Sequence, residues 1–221
     1  MPETEKAGDG RRRGRFLTFE GGEGAGKSTQ VARLADRLRQ YGVTVVTTRE
    51  PGGSPGAEAL RHVLLSGAAE TLGPDAEAIL FAAARADHVD RLIRPAVAAG
   101  QWVICDRFID STRVYQGVTG AVPPRLIAAL EAVSVGEILP DLTLLLDIPA
   151  AEGLGRASAR RGMLTADRFE KDGIDLHERR RDGFLALARA EPNRFAVIDA
   201  AQDVETVAEA VWYAVRKRLR V

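Results

Sequence analysis

The chain has 221 residues, of which 45% are hydrophobic, and this is room for one α/β domain with a full core. Its 31 basic and 31 acidic residues give zero net charge, so the overall charge favours neither nucleic-acid nor membrane binding. The single cysteine, Cys105, excludes a disulfide within the chain and favours a reducing compartment. We therefore expect a cytoplasmic protein.

Residues 1–15 are polar and contain the basic run Arg11, Arg12 and Arg13. They lack the apolar stretch of a secretion signal, and no apolar run in the chain approaches membrane-spanning length. We expect a disordered N-terminal tail over 1–15 and one domain over 16–221, without nucleic-acid or membrane partners.

Short apolar runs alternate with segments of helical periodicity along the rest of the chain. The pattern predicts strands at 16–20, 43–48, 102–106, 142–148 and 195–199, and helices at 28–41, 75–99, 123–135, 184–190 and 204–219. Pro95 is expected to bend the long second helix. This alternation predicts an α/β fold with a five-stranded parallel sheet covered by helices on both faces. Residues 156–170 are Arg-rich with little apolar periodicity, which predicts a mobile surface segment.

The segment between the first strand and the first helix fits G-x-x-x-x-G-K-[ST], the phosphate-binding loop. It consists of Gly21, Gly22, Glu23, Gly24, Ala25, Gly26, Lys27 and Ser28, and Thr29 follows it. Glycines allow successive backbone N–H groups to point at phosphate oxygens, and the helix N-terminus adds partial positive charge. We expect Lys27 to contact the β- and γ-phosphates of a nucleotide and the Ser28 hydroxyl to bind Mg²⁺.

Charged residues follow the other strands, at the edge of a parallel sheet where ligands bind. Asp106 and Arg107 follow the third strand, where a carboxylate can hold Mg²⁺ and an arginine can clamp a second phosphate. An ordinary strand-end ion pair is the alternative. Asp147 is a rival metal ligand, but Ile148 and Pro149 follow it where a hydrolase would carry a water-activating glutamate.

Two further segments carry groups suited to a nucleoside. Phe81 and Arg85 are spaced i, i+4 on one helix face, which suits stacking on a base and hydrogen bonding to its carbonyl edge. A core phenylalanine and a solvated arginine are the ordinary alternative. Ser111, Tyr115 and Gln116 lie in a polar segment after Arg107, where the tyrosine can pack on a sugar and the glutamine can bond a base. By itself, that segment also fits a polar loop or helix start.

These segments together resemble the thymidylate kinase family of phosphate-loop nucleoside-monophosphate kinases. The resemblance rests on residues 19–29, 49–53, 81–85, 106–108, 111–117 and 140–147. It implies a phosphate-loop kinase fold over 16–221, with a mobile lid at about 156–170. It also implies transfer of the γ-phosphate of ATP to dTMP, giving dTDP and ADP with Mg²⁺, by a homodimer.

The resemblance also implies roles for single residues. Phe81 would stack on thymine, Arg85 would bond its carbonyl edge, and Tyr115 would lie against C2′ of the sugar. Arg107 would bind the dTMP phosphate, with Asp106 at the metal and Glu23 positioning phosphate and metal. The same motifs place Arg49, Pro51, Ser111 and Gln116 with the substrate.

Family members carry a catalytic arginine either in the phosphate loop or in the lid. Ala25 occupies the loop position here, so the lid arginines are the candidates: Arg156, Arg160, Arg161 and Arg168. Phe108 departs from the His or Tyr common in the family. Two alternatives stay open: a kinase for another nucleotide or nucleoside such as dUMP or dCMP, and a nucleotide-switch ATPase.

Overall fold

A computed structural model describes residues 13–161, 169 and 172–221, except for the side chain of Arg161. Five parallel strands form one sheet in the order β2-β3-β1-β4-β5, so the strand that precedes the phosphate loop lies at the centre. The predicted five-stranded parallel sheet is confirmed. No helix in this described part of the chain is both long and apolar enough to cross a membrane.

Helices and strands alternate through the first half of the chain. In order they are β1 Phe16–Glu20, α1 Lys27–Gln40, β2 Val45–Arg49, α2 Pro55–Ser66, a 3-10 turn Ala68–Leu72, α3 Pro74–His88, a π-helical turn Val89–Ile93, α4 Arg94–Ala98 and β3 Trp102–Asp106.

The second half continues the alternation after a short helical connection. Its elements are α5 Ile109–Thr112, a π-helical segment Arg113–Thr119, α6 Pro124–Ser134, β4 Leu142–Asp147, α7 Ala150–Arg161, α8 Ile174–Ala190, β5 Phe195–Asp199 and α9 Val204–Leu219.

The main differences from the predicted elements lie in the helices. Helix α2, the helical segment from Ile109 to Thr119 and helix α7 were not predicted, and α8 begins ten residues before the predicted start at 184. The long helix predicted at 75–99 is interrupted by the π-helical turn Val89–Ile93, just before Pro95. Residues 156–161 of the predicted mobile segment are helical and belong to α7; Arg168 lies outside the described residues.

The structure describes residues 13–15, the last three residues of the predicted tail. The backbone N–H of Gly14 donates to the carbonyl of Val97 at 2.9 Å, and Arg15 pairs with Asp141 at 3.1 Å. The backbone carbonyl of Arg15 also accepts from Val103, so these residues extend the pairing of β1 with β3.

Alternation along β1 divides the apolar side chains between the two faces of the sheet. Leu17 and Phe19 join a cluster with α1 and α9, which includes Leu38 and Trp212. Phe16 faces the other way and joins a cluster with the turn after α3 and with β3, in which Cys105 is buried. Helices therefore cover both faces, and polar residues at the strand ends are left to form a site.

The phosphate loop is packed directly against the N-terminal half of α7. A Cβ atom on Gly24 would lie 1.8 Å from the carbonyl oxygen of Gly153, and one on Gly153 would lie 2.3 Å from that of Glu23. Only residues without a side chain allow this approach of two backbones. The position of the loop therefore depends on its contact with α7.

This contact predicts opposite effects for two alanine substitutions in α7. Gly153→Ala forces the two backbones apart, so we expect its free energy of unfolding to fall by on the order of 1–3 kcal/mol. Gly155→Ala is the matched control, because its added methyl group meets nothing within 4 Å. Alanine's helix propensity should raise the stability of this control by up to about 1 kcal/mol. Urea unfolding measures both, and equal stability of the two variants would refute the contact.

Candidate active site

The phosphate loop places a buried ammonium group beneath its own carbonyls. Lys27 Nζ donates to the carbonyl oxygens of Gly21 at 3.1 Å and Gly22 at 2.7 Å. Burial and the neighbouring charge of Arg107 lower the pKa of Lys27. Gly26, at the N-terminus of α1, has φ 86°, a left-handed conformation that suits glycine. This geometry lets α1 begin at the lysine.

Neighbouring strands bring a hydroxyl and a carboxylate together beside the loop. Phe19 in β1 pairs with Asp106 in β3, so the loop and the end of β3 leave the sheet side by side. The Ser28 hydroxyl donates to Asp106 Oδ2 at 2.5 Å. A hydroxyl and a carboxylate oxygen are hard donors that suit Mg²⁺.

Arg107 is held in an unusual backbone conformation by a network of bonds. Its φ is 68°, in the left-handed region that costs a non-glycine residue free energy and is characteristic of functional sites. Its guanidinium donates to the Gly21 carbonyl at 3.2 Å, to Ser111 Oγ at 3.1 Å and to Glu23 Oε1 at 2.6 Å. It also lies over the ring of Tyr115, 5.1 Å from the centroid.

Glu23 links the phosphate loop to Arg107 and to the aromatic side of the site. Besides Arg107, it accepts a hydrogen bond from the Tyr115 hydroxyl at 2.9 Å. Burial acts to raise the pKa of Glu23, but the charges of Arg107 and Lys27 outweigh it and lower the pKa to about 2. Glu23 is therefore an anion at any ordinary pH and balances the buried Lys27 and the partly buried Arg107.

Two cavities meet at this network. The phosphate-loop cavity, of about 160 Å³, is lined by Glu23, Gly24, Gly26, Lys27, Ser28, Arg49, Glu50, Arg61, Asp106, Arg107 and Arg160. The aromatic cavity, of about 110 Å³, is lined by Glu23, Glu50, Pro51, Arg61, Leu65, Phe81, Arg85, Arg107, Phe108, Ser111, Tyr115, Gln116 and Phe169. Glu23, Glu50, Arg61 and Arg107 line both, so two ligands would lie end to end.

Phe81 and Arg85 both reach the aromatic cavity from α3. The ring of Phe81 lies 6.3 Å from that of Phe169, centroid to centroid. Arg85 is buried, pairs with Glu50 at 2.7 Å and donates to the Phe108 carbonyl and to Thr112 Oγ1. It is therefore not the solvated arginine that its sequence alone allowed.

Comparisons of sequence and fold with known proteins point to the same family. The sequence model named "Thymidylate kinase" matches residues 19–211. Thymidylate kinases from Bradyrhizobium sp. (strain ORS 278) and Bradyrhizobium diazoefficiens are 58% and 56% identical, covering 97% and 94% of this chain and 94% and 91% of theirs. The crystal structure of thymidylate kinase from Ehrlichia chaffeensis has a TM-score of 0.74 at 33% identity, over 93% of this chain and 99% of that one. The chain belongs to the thymidylate kinase family. It is a kinase with the family's phosphate-loop fold.

The arginines of the segment predicted to be a lid fall into separate environments. Arg160 lines the phosphate-loop cavity. Arg156 instead pairs with Glu152 and donates to the backbone carbonyls of Ala200 and Ala201, on the connection from β5 to α9. The Arg161 side chain and all of Arg168 lie outside the described residues.

Among the other predicted positions, Gly21, Gly22, Ala25, Thr29 and Asp147 do not line either cavity. Ala25 packs in the core cluster with α1, and Thr29 is exposed in the first turn of that helix. Asp147, the rival metal ligand, receives two hydrogen bonds from Arg181, at 2.7 and 3.0 Å. Its carboxylate is therefore engaged in an ion pair with α8.

The sequence reasoning missed Glu20, Glu50 and Arg61. Glu20 ends β1 and accepts hydrogen bonds from the backbone N–H groups of Phe108 and Ser111 and from the Ser111 hydroxyl. The strand-end rule that selected Asp106 also selects Glu20. Arg61 lies in α2, the helix that was not predicted, and no periodic pattern marked it.

Glu20 predicts a pH-dependent stability. Burial and the nearby Asp110 raise its pKa from 4.5 to about 7, so the folded state keeps a proton that the unfolded chain releases. Wild-type stability should fall by roughly 3 kcal/mol relative to Glu20→Gln as pH rises from 4.5 to 7. Urea unfolding of both proteins at pH 5 and pH 8 tests this. Parallel pH profiles would show that Glu20 does not titrate in this range.

Proposed function

We propose that this kinase transfers the γ-phosphoryl group of ATP to dTMP, giving dTDP and ADP for the synthesis of dTTP. The observation that carries the proposal is the junction of the two cavities at Glu23 and Arg107. A phosphate-loop cavity that opens into an aromatic cavity suits two nucleotides whose phosphates meet in line. The relatives named thymidylate kinase support dTMP as the acceptor.

The donor side would hold the triphosphate of ATP. The loop residues Gly21, Gly22, Gly24 and Gly26 would offer backbone N–H groups to its oxygens, and Lys27 would exchange its loop carbonyls for the β- and γ-phosphates. Ser28 and Asp106 would hold Mg²⁺, with phosphate and water oxygens completing its shell. Bound there, the ion would neutralise charge on the phosphates.

The acceptor side would hold dTMP in the aromatic cavity. Phe81 would stack on thymine, Arg85 would bond a base carbonyl and Tyr115 would lie against the deoxyribose. Arg107, with Ser111, would bind the acceptor phosphate, since a guanidinium matches two phosphate oxygens at once. Arg49, which pairs with Asp106 at the end of β2, and Pro51 would close the side of the site at β2.

Catalysis would consist of positioning and charge stabilisation. Phosphoryl transfer has a loose transition state with charge spread over its oxygens, so fixed cations contribute more than a general base. Lys27, Arg107 and Arg160 would supply those cations, and Glu23 would hold Arg107 in place. A lid over about 156–170, including Arg161 and Arg168, would close over the phosphates and exclude water.

We also propose a homodimer in the cytoplasm. The exposed side chains of Ile79 in α3 and Val133 in α6 support pairing through these helices, since each leaves a large apolar group in water. Sedimentation of the purified protein tests the dimer, and a monomer at micromolar concentration would refute it.

An assay of ADP release with dTMP, dUMP, dCMP and no acceptor tests the function. Rapid release with dTMP alone supports the proposal. Equal or faster release with dUMP or dCMP would assign a different acceptor. Release without any acceptor would favour a nucleotide-switch ATPase.

Lys27→Ala should abolish turnover with ATP and dTMP, because it removes the cation that contacts the transferred phosphate. Circular dichroism should show an intact fold. Lys217→Ala is the control, since Lys217 is exposed on α9 and lies over Tyr213. Near wild-type turnover in Lys27→Ala would contradict the assignment.

Arg160→Ala should lower kcat by on the order of 10²–10³ with little change in the KM for either substrate. Arg156→Ala is the matched comparison in α7, because Arg156 bonds backbone carbonyls of the β5–α9 connection. It should lower thermal stability more than kcat. The reverse pattern would make Arg156 the arginine that stabilises the transition state.

A further inference from the structure

A buried acid contacts the glutamine of the aromatic cavity from behind. Gln116 lines the aromatic cavity, and its side-chain nitrogen Nε2 donates to Oε1 of Glu77 at 3.0 Å. Both side chains are at most 5% exposed. Glu77 has no part in the chemistry described above, so its burial beside a ligand-facing amide requires a reason.

The pairing fixes which end of the amide is available to a ligand. A side-chain amide has a donor end and an acceptor end, and a half-turn about its last bond exchanges them. The structure pairs the NH₂ end of Gln116 with a carboxyl oxygen of Glu77, so this contact retains the NH₂ end. The carbonyl oxygen Oε1 is the end that remains, and it only accepts hydrogen bonds.

The position of Glu77 on α3 supports a role at the base. Glu77, Phe81 and Arg85 are spaced four residues apart, so they lie along one face of the helix, and all three are buried. Phe81 and Arg85 line the aromatic cavity directly. Glu77 reaches the same cavity through Gln116, whose backbone carbonyl is held by the N–H of Val122 at 3.0 Å.

We propose that Glu77 is a positioning residue that sets the pyrimidine specificity of this kinase, an inference that rests on the proposed function. Glu77 orients the Gln116 amide so that its oxygen accepts from the ring N–H of a 2,4-dioxopyrimidine. Arg85 donates to the carbonyl beside that N–H. A 4-aminopyrimidine such as cytosine presents a ring acceptor and an amino donor there, so both contacts are mismatched.

The test compares three acceptors with each enzyme preparation. Glu77→Ala removes the acceptor that holds the Gln116 amide, and Glu77→Gln replaces it with an amide that can present either a donor or an acceptor. Asp75→Asn is the matched control, because it removes an acidic group from the first turn of the same helix at an exposed position. The measured quantity is kcat/KM for dTMP, dUMP and dCMP. Ratios of these values do not depend on the fraction of protein that is folded.

Both Glu77 variants should lower the dTMP-to-dCMP ratio of kcat/KM by about tenfold or more, because the freed amide can present its donor end to cytosine. The dTMP-to-dUMP ratio should stay at the wild-type value, since thymine and uracil share the edge in question. A merely structural defect would lower all three values alike. Asp75→Asn should keep both ratios.

An unchanged dTMP-to-dCMP ratio in both Glu77 variants would overturn the inference while leaving the proposed function intact. A fall in both the dTMP-to-dCMP and the dTMP-to-dUMP ratio would also overturn it, because the orientation of the amide cannot distinguish thymine from uracil. Failure of the wild-type enzyme to phosphorylate dTMP would instead refute the proposed function itself.

Discussion

The guanidinium of Arg107 is the group on which the geometry of the site depends. It joins the phosphate loop, through Gly21 and Glu23, to the segment after β3, through Ser111, and it lies over Tyr115. A buried cation is costly unless every donor finds a partner. The left-handed backbone at Arg107 is the cost of this arrangement, and hydrogen bonds from Phe108 and Ser111 to Glu20 offset it.

Two glutamates close in sequence have opposite titration behaviour because they face different neighbours. Glu23 faces Arg107 and Lys27, whose charges outweigh its burial and keep it ionised. Glu20 lies deeper, at the end of β1, where burial and Asp110 favour its protonated form. The loop between them thus has a fixed negative charge on the ligand side and a titratable group on the core side. Electrostatic roles are set by environment, which residue type alone does not show.

The sequence predicted the sheet and the phosphate loop because both depend on local pattern. Five apolar runs marked the strands, and the topology rule then placed Asp106 at the edge of the sheet that carries the phosphate loop. In the structure the Ser28 hydroxyl donates to Asp106 at 2.5 Å. Helix α2 and the π-helical segment after α5 were not predicted, and they bring Arg61, Tyr115 and Gln116 to the cavities. The pairing of Arg85 with Glu50 joins residues 35 positions apart, which no local pattern can indicate.

Buried polar pairs around the aromatic cavity are better explained by function than by stability. Arg85 with Glu50, and Gln116 with Glu77, are buried contacts that well-packed apolar side chains could replace without loss of stability. Their effect is to hold donors and acceptors in one orientation before a ligand arrives, which reduces the entropy lost on binding. Phe81 lies between Glu77 and Arg85 on the same helix face, so α3 carries an aromatic surface flanked by two groups of fixed polarity. A base that stacks on Phe81 but has the wrong donors and acceptors would leave those polar groups without hydrogen bonds. The free-energy cost of these unpaired groups is the source of specificity.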